Sequence, residues 1–168
     1  MKLGVCLPHY GRPIEVGRML EVVRRAEDVG LDSVWVTDHV IVPEQANVIY
    51  REDMLDPLAV LPWLAGVTRR LALGTSVVIL PYRSPIPVAK LLASVDVLSG
   101  GRLIVGAAIG WLEGEFDALG VPFKERASRS DEALGCGHVA LEVSYSTFPA
   151  ILETIDLIAE KVRPKLAS

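Results

Sequence analysis

Ser33-Val34-Trp35-Val36-Thr37-Asp38-His39 is an apolar run that ends abruptly in two polar side chains, and its reading decides the fold class. β-Branched and aromatic residues without polar alternation mark a strand covered on both faces, the habit of parallel sheets. Asp38 and His39 then fall at the strand's C-terminal end. Upstream, Lys2 to Pro8 is a short apolar run closed by proline. Ile14 to Val29 carries apolar residues at 16, 19, 20, 22, 23, 26 and 29, a helical period stopped by Gly30.

Downstream the alternation repeats. After an irregular stretch from Val40 to Asp56, Pro57 opens a helix through Gly66, and Leu71 to Leu80 is a third strand ended by Pro81. A helix from about Pro87 to Leu98 runs into Ser99-Gly100-Gly101, and Leu103 to Ile109 is the fourth strand. Glu113 to Leu119 and Ser128 to Leu134 both have helical character. His138 to Val143 reads as a fifth strand and Pro149 to Val162 as its helix, apolar at 151, 152, 155, 158, 159 and 162 and ended by Pro164. Strands beginning near residues 2, 33, 71 and 103 are spaced by one βα repeat of about thirty residues. The fold class is therefore α/β, about five parallel strands with covering helices. Doubly wound sheets and barrels both satisfy that pattern.

The chain has 168 residues, enough for one buried core, and its 51% apolar content excludes a disordered class. A net charge of −4 offers no footprint for nucleic acid, so a small-molecule partner is expected. No stretch approaches the roughly 18 apolar residues of a membrane span, and the N-terminus lacks the long apolar run of a signal peptide. A cytoplasmic location is expected. Cys6 and Cys136 lie far apart without CxxC or His-rich spacing, which argues against a metal site or disulfide and for two small buried hydrophobes.

No GxGxxG follows the first strand, where the turn reads His9-Tyr10-Gly11-Arg12, and P-loop, GxSxG and HExxH motifs are absent. What remains are polar groups at strand ends, where parallel α/β folds place their chemistry. They are His9 and Tyr10, Asp38 and His39, Tyr82, Arg83 and Ser84, and Gly110 and Trp111.

Gly4-Val5-Cys6-Leu7-Pro8, the Ser33 to His39 run, Leu73 to Pro81 with Arg83-Ser84-Pro85, and Gly101-Arg102-Leu103-Ile104-Val105-Gly106 form an ordered series. Gly110-Trp111 with Glu115-Phe116 and Gly120, then Arg126 with Asp131-Glu132, extend it. In this order and spacing, over residues 1 to 134, the chain resembles the luciferase-like monooxygenase family, above all its deazaflavin-dependent branch. Ile109 stands where the light-emitting members have arginine, which favours that branch.

The resemblance implies a TIM-barrel-like fold with the cofactor ring across the C-terminal mouth. It implies coenzyme F420, with FMN as the alternative, and hydride transfer to or from a small organic substrate. Asp38 and His39 become the catalytic candidates beside the ring. His39 is the acid/base or substrate-polarising group, since imidazole is the side chain suited to proton transfer near neutral pH. Asp38 either orients that imidazole or caps the following turn. Ser76 and Val77 form the bulge that backs the ring, with a non-prolyl cis peptide between them in the family, and Val78 joins them in the cofactor-binding set. Arg83, Gly110 and Trp111 complete the cofactor-binding set. Glu115, Arg126 and Asp131 are expected to form a structural ion-pair set.

A complete barrel needs eight βα units and about 250 residues. Residues 1 to 134 resemble units one to four, and 137 to 168 resemble unit eight, with a junction at Leu134 to Cys136 where units five to seven are missing. In such an incomplete barrel the fifth strand is expected beside the first, giving the order 8-1-2-3-4, with a homodimer covering the open edges. The phosphate-holding loops after strands seven and eight would be largely lost, so a non-catalytic flavin-binding or structural dimer is the alternative function. A third alternative is a product of internal deletion with no function.

Overall fold

The computed structural model describes residues 2–11, 14–42, 53–133 and 140–141. Its elements run β1 (Gly4–Cys6), α1 (Val16–Asp28), β2 (Ser33–Val36), α2 (Pro57–Val67), β3 (Ala72–Ile79), α3 (Pro85–Ser99), β4 (Leu103–Ala108), α4 (Glu113–Leu119), α5 (Arg126–Ala133) and β5 (Ala140–Leu141). Three of the helices end or begin where local chemistry dictates. Gly30 at φ 83° follows α1, the Asp56 carboxylate caps α2 by accepting from the Leu58 amide at 2.7 Å, and Gly100 at φ 73° ends α3.

All strand pairs are parallel, and the sheet order is β1-β2-β3-β4-β5. The expected order is corrected at one end. Ala140 and Leu141 pair with Gly106 and Ala107 of β4 rather than with β1. A strand that follows β4 by a short helical excursion joins the neighbouring edge, whereas reaching β1 would require crossing the whole sheet. The rest of the expected fifth strand, the Pro149 to Val162 helix and the junction at Leu134 to Cys136 lie outside the described residues.

Helices α1, α2 and α3 cover one face. Leu7, Val34, Val36, Leu71 and Leu73 from the strands and their flanks meet Met19, Val23, Ala26, Leu61, Leu64 and Val95 from the helices in one core. The other face carries glycine and a single large ring. A Cβ at Gly4 or Gly74 would overlap Trp35, whose indole lies across both and donates from Nε1 to Ser33 Oγ at 2.8 Å. Cys6 shares this face and is exposed, against the expectation of a buried thiol. In a closed barrel that face is interior. Among the described residues the sheet is not closed.

Arg102 locks the N-terminal ends together. Its guanidinium donates to the carbonyls of Ala65, Thr68, Leu71 and Ser99 and to Thr68 Oγ1, tying the start of β4 to the α2–β3 connection.

Candidate active site

β3 and β4 fall out of step where the sequence reads Thr75-Ser76-Val77-Val78. Thr75 pairs with Val105 and Val78 with Ala107, so Ser76 and Val77 together oppose Gly106 alone. This is a β-bulge, a device that re-aims side chains at the rim of a sheet. The Ser76-Val77 peptide is cis, as the family resemblance implies. Thr75 pins the irregularity from beneath, donating from Oγ1 to Gly106 O at 2.7 Å while accepting from Gly106 N at 2.9 Å. A Cβ at Gly106 would overlap the Thr75 carbonyl oxygen, so the bulge demands glycine opposite it. Ser76 is exposed and Val77 half-buried at the C-terminal part of the sheet. Val78 turns the other way. It is fully buried with Leu58, Val88 and Ala107 in the helix-side core, so it supports the bulge without offering a side chain to a ligand.

Asp38 and His39, adjacent in sequence, serve different partners. Asp38 is 2% exposed and accepts both arms of Arg83, at 2.6 Å on Oδ2 and 2.9 Å on Oδ1, along with the Ile79 amide at 2.8 Å. That fork ties the end of β2 to the turn after β3. Burial alone would pull the Arg83 guanidinium down, but Asp38 and then Asp56, at 3.0 Å, hold it above its ordinary value. Arg83 is thus already paired, with Asp38 and Asp56.

His39 is 7% exposed, and its Nδ1 lies 2.9 Å from Glu115 Oε2. Glu115 has no exposed surface. Its Oε2 also accepts from the Tyr82 hydroxyl at 2.7 Å, and its Oε1 accepts from the backbone amides of Val40 and of Ile41, the latter at 3.1 Å. Burial pushes the carboxyl up, but donation by His39, Tyr82 and the two amides outweighs it and holds Glu115 below the usual carboxylate range. Burial, then the Glu115 carboxylate, push the Tyr82 phenol well above its ordinary value. Orienting His39, expected of Asp38, therefore falls to Glu115. The expected set of Glu115, Arg126 and Asp131 does not form around Glu115, whose oxygens are occupied. Arg126 stacks instead on Phe123, 3.9 Å from the ring centroid, and donates to the Phe123 carbonyl at 2.9 Å.

α4 delivers Glu115 because Glu115 and Phe116 form its buried face while Glu113, Asp117 and Ala118 face solvent. Phe116 packs edge-on against Tyr82 at 4.8 Å and Phe123 at 5.2 Å. Gly110, at φ 77°, allows the chain to leave β4 beneath this ring, for a Cβ there would meet Ile79 and Phe116 at 2.8 and 2.9 Å. Trp111 follows with its side chain 53% exposed. His9, at the end of β1, is buried between strands with Nδ1 3.0 Å from Leu7 O and Nε2 3.0 Å from Thr37 O. The sequence singled out Glu115 beside Phe116, but Asp117 flanks the same ring and faces solvent, so the burial of Glu115 was not readable from that pair. Its partners were not readable.

A model of the luciferase-like monooxygenase family matches residues 1–150. An F420-dependent glucose-6-phosphate dehydrogenase of Amycolatopsis mediterranei is 36% identical over 122 residues, which make 69% of this chain and 35% of that enzyme. Among solved structures, the monooxygenase RslO1 from Streptomyces bottropensis superposes with a TM-score of 0.66 at 28% identity, covering 88% of this chain and 47% of its own. The coenzyme F420-dependent tetrahydromethanopterin reductase from Methanopyrus kandleri does so with a TM-score of 0.55 at 28% identity, covering 73% and 30%. The chain thus spans about a third of the length of such curated relatives. With a family match over 150 residues, the parallel α/β sheet and the bulged third strand all in place, the chain belongs to the luciferase-like monooxygenase family.

Proposed function

We propose that this chain holds a deazaflavin of the coenzyme F420 type, or FMN in its place, at the C-terminal ends of β2, β3 and β4, and serves hydride transfer between that ring and a small organic substrate. The observation that carries this reading is the Ser76-Val77 bulge, kept open by Gly106 and presenting an exposed hydroxyl beside a half-buried aliphatic side chain. A flat heteroaromatic ring asks for that combination, apolar backing with a few polar atoms at its edge. Ser76 and Val77 would back the ring, and the exposed Trp111 after β4 would flank it. When bound, the ring supplies the hydride chemistry. The chain's own part is to position: the Asp38–Arg83 fork fixes the strand ends, and His39 polarises the substrate or moves its proton.

The fit is one-sided. Arg83, the cation of the expected cofactor-binding set, is committed to Asp38 and Asp56. That commitment favours a second reading, a homodimer derived from this family that binds flavin without turning over, or only keeps the fold. Fluorescence titration of the purified chain with coenzyme F420 and with FMN tests both. Saturable binding is expected, and no effect at high micromolar cofactor would sink the enzyme reading. Substrate-dependent oxidation of the reduced cofactor would then separate an oxidoreductase from a silent binder.

A further inference from the structure

We infer that Glu115 is a positioning residue that fixes the tautomer of His39, holding the proton of the neutral imidazole on Nδ1 and leaving Nε2 as the acceptor. The significance for catalysis rests on the proposed role of His39, but the tautomer itself does not. A carboxylate accepts hydrogen bonds and donates none, so the nitrogen 2.9 Å from Glu115 Oε2 must be the protonated one. The carboxylate cannot swing away. Its Oε1 is held by the amides of Val40 and Ile41, which belong to the segment immediately after His39, and Tyr82 donates to Oε2 from the other side. Ring, phenol and backbone thus meet on one carboxylate, which accepts from all four of these donors. Carboxylates that accept from the free ring nitrogen of a metal-ligating histidine set its tautomer in this way.

The two amides make the inference testable. In Glu115→Gln they still require an oxygen at the Oε1 position, so the side-chain NH2 must stand at the Oε2 position, facing Nδ1 and Tyr82. An NH2 donates, and Nδ1 must then accept. The proton of the neutral ring moves to Nε2 in a variant that changes the buried volume hardly at all.

The measurement is a two-bond nitrogen–proton correlation spectrum of the 15N-labelled chain, followed through a pH titration to the neutral form of each ring. The sequence has 3 histidines, so His39→Asn assigns the signal and His9 serves as an internal control. In the wild type, Nδ1 of His39 is expected in the protonated range and Nε2 in the unprotonated range. In Glu115→Gln the two exchange, while the His9 pattern stays unchanged. Tyr82→Phe retains the Glu115 carboxylate and is expected to keep the wild-type pattern, so the inference remains open to refutation even if Glu115→Gln fails to fold. A wild-type His39 protonated on Nε2, or one tautomer shared by wild type and Glu115→Gln, would overturn it. The spectra need neither cofactor nor substrate, so a failed cofactor titration would strike the functional reading and leave this result standing.

Discussion

Glu115 gathers four donors on two oxygens in a place that water does not reach, from His39, Tyr82, Val40 and Ile41. Because these bonds hold its carboxyl below the ordinary range, the unfolded chain binds the Glu115 proton more readily than the folded one. Its contribution is therefore fully present above the ordinary glutamate value of about 4.3 and is lost as the pH falls through the lower folded value. Within that window one such group steepens the loss of stability by up to about 1.4 kcal/mol per pH unit. Urea denaturation between neutral pH and pH 3 should show a shallower acid decline in Glu115→Gln than in the wild type. Parallel declines would mean that Glu115 titrates as it does in the unfolded chain.

At the scale of elements, glycines separate strict demands from idle ones. Gly106→Ala forces a methyl group onto the Thr75 carbonyl in the sheet, where backbone must move, and should cost about 1–3 kcal/mol. Gly17→Ala, on the open surface of α1 with nothing nearby, should instead stabilise by about 0.5–1 kcal/mol. Thermal melts of the two variants should shift in opposite directions, and equal shifts would contradict the packing described around the bulge. Strands β2, β3 and β4 were legible because each is a compact apolar run between turn residues, a signal intrinsic to the strand. The place of β5 was not, because periodicity names an element and says nothing of its neighbour. Cys6 misled for a related reason, since burial on the glycine-bearing face depends on whether the sheet closes. Asp38 and Arg83 were visible as polar residues at strand ends, but only the fold shows that they bind one another.

For the whole molecule, the open sheet leaves apolar surface that a closed barrel would cover. Leu3 beside β1 and Ile104 on β4 are exposed, and α3 presents Ile86, Val97 and Leu98 outward. The homodimer that belongs to the proposal would reduce that exposure. Light scattering after gel filtration at micromolar concentration should give the mass of two chains, and a monodisperse monomer would count against it. The bulge where β3 meets β4, proposed above to back the ring, is the centre of the account, and Arg83 beside it is already paired with Asp38 and Asp56. The most direct measurement is a parallel fluorescence titration with FMN and with riboflavin, which share the ring and differ in the phosphate. Saturable binding of both, with dissociation constants within about threefold (a difference under about 0.7 kcal/mol), is the expected result. Binding of neither, or FMN tighter than riboflavin by about a hundredfold or more, would contradict it.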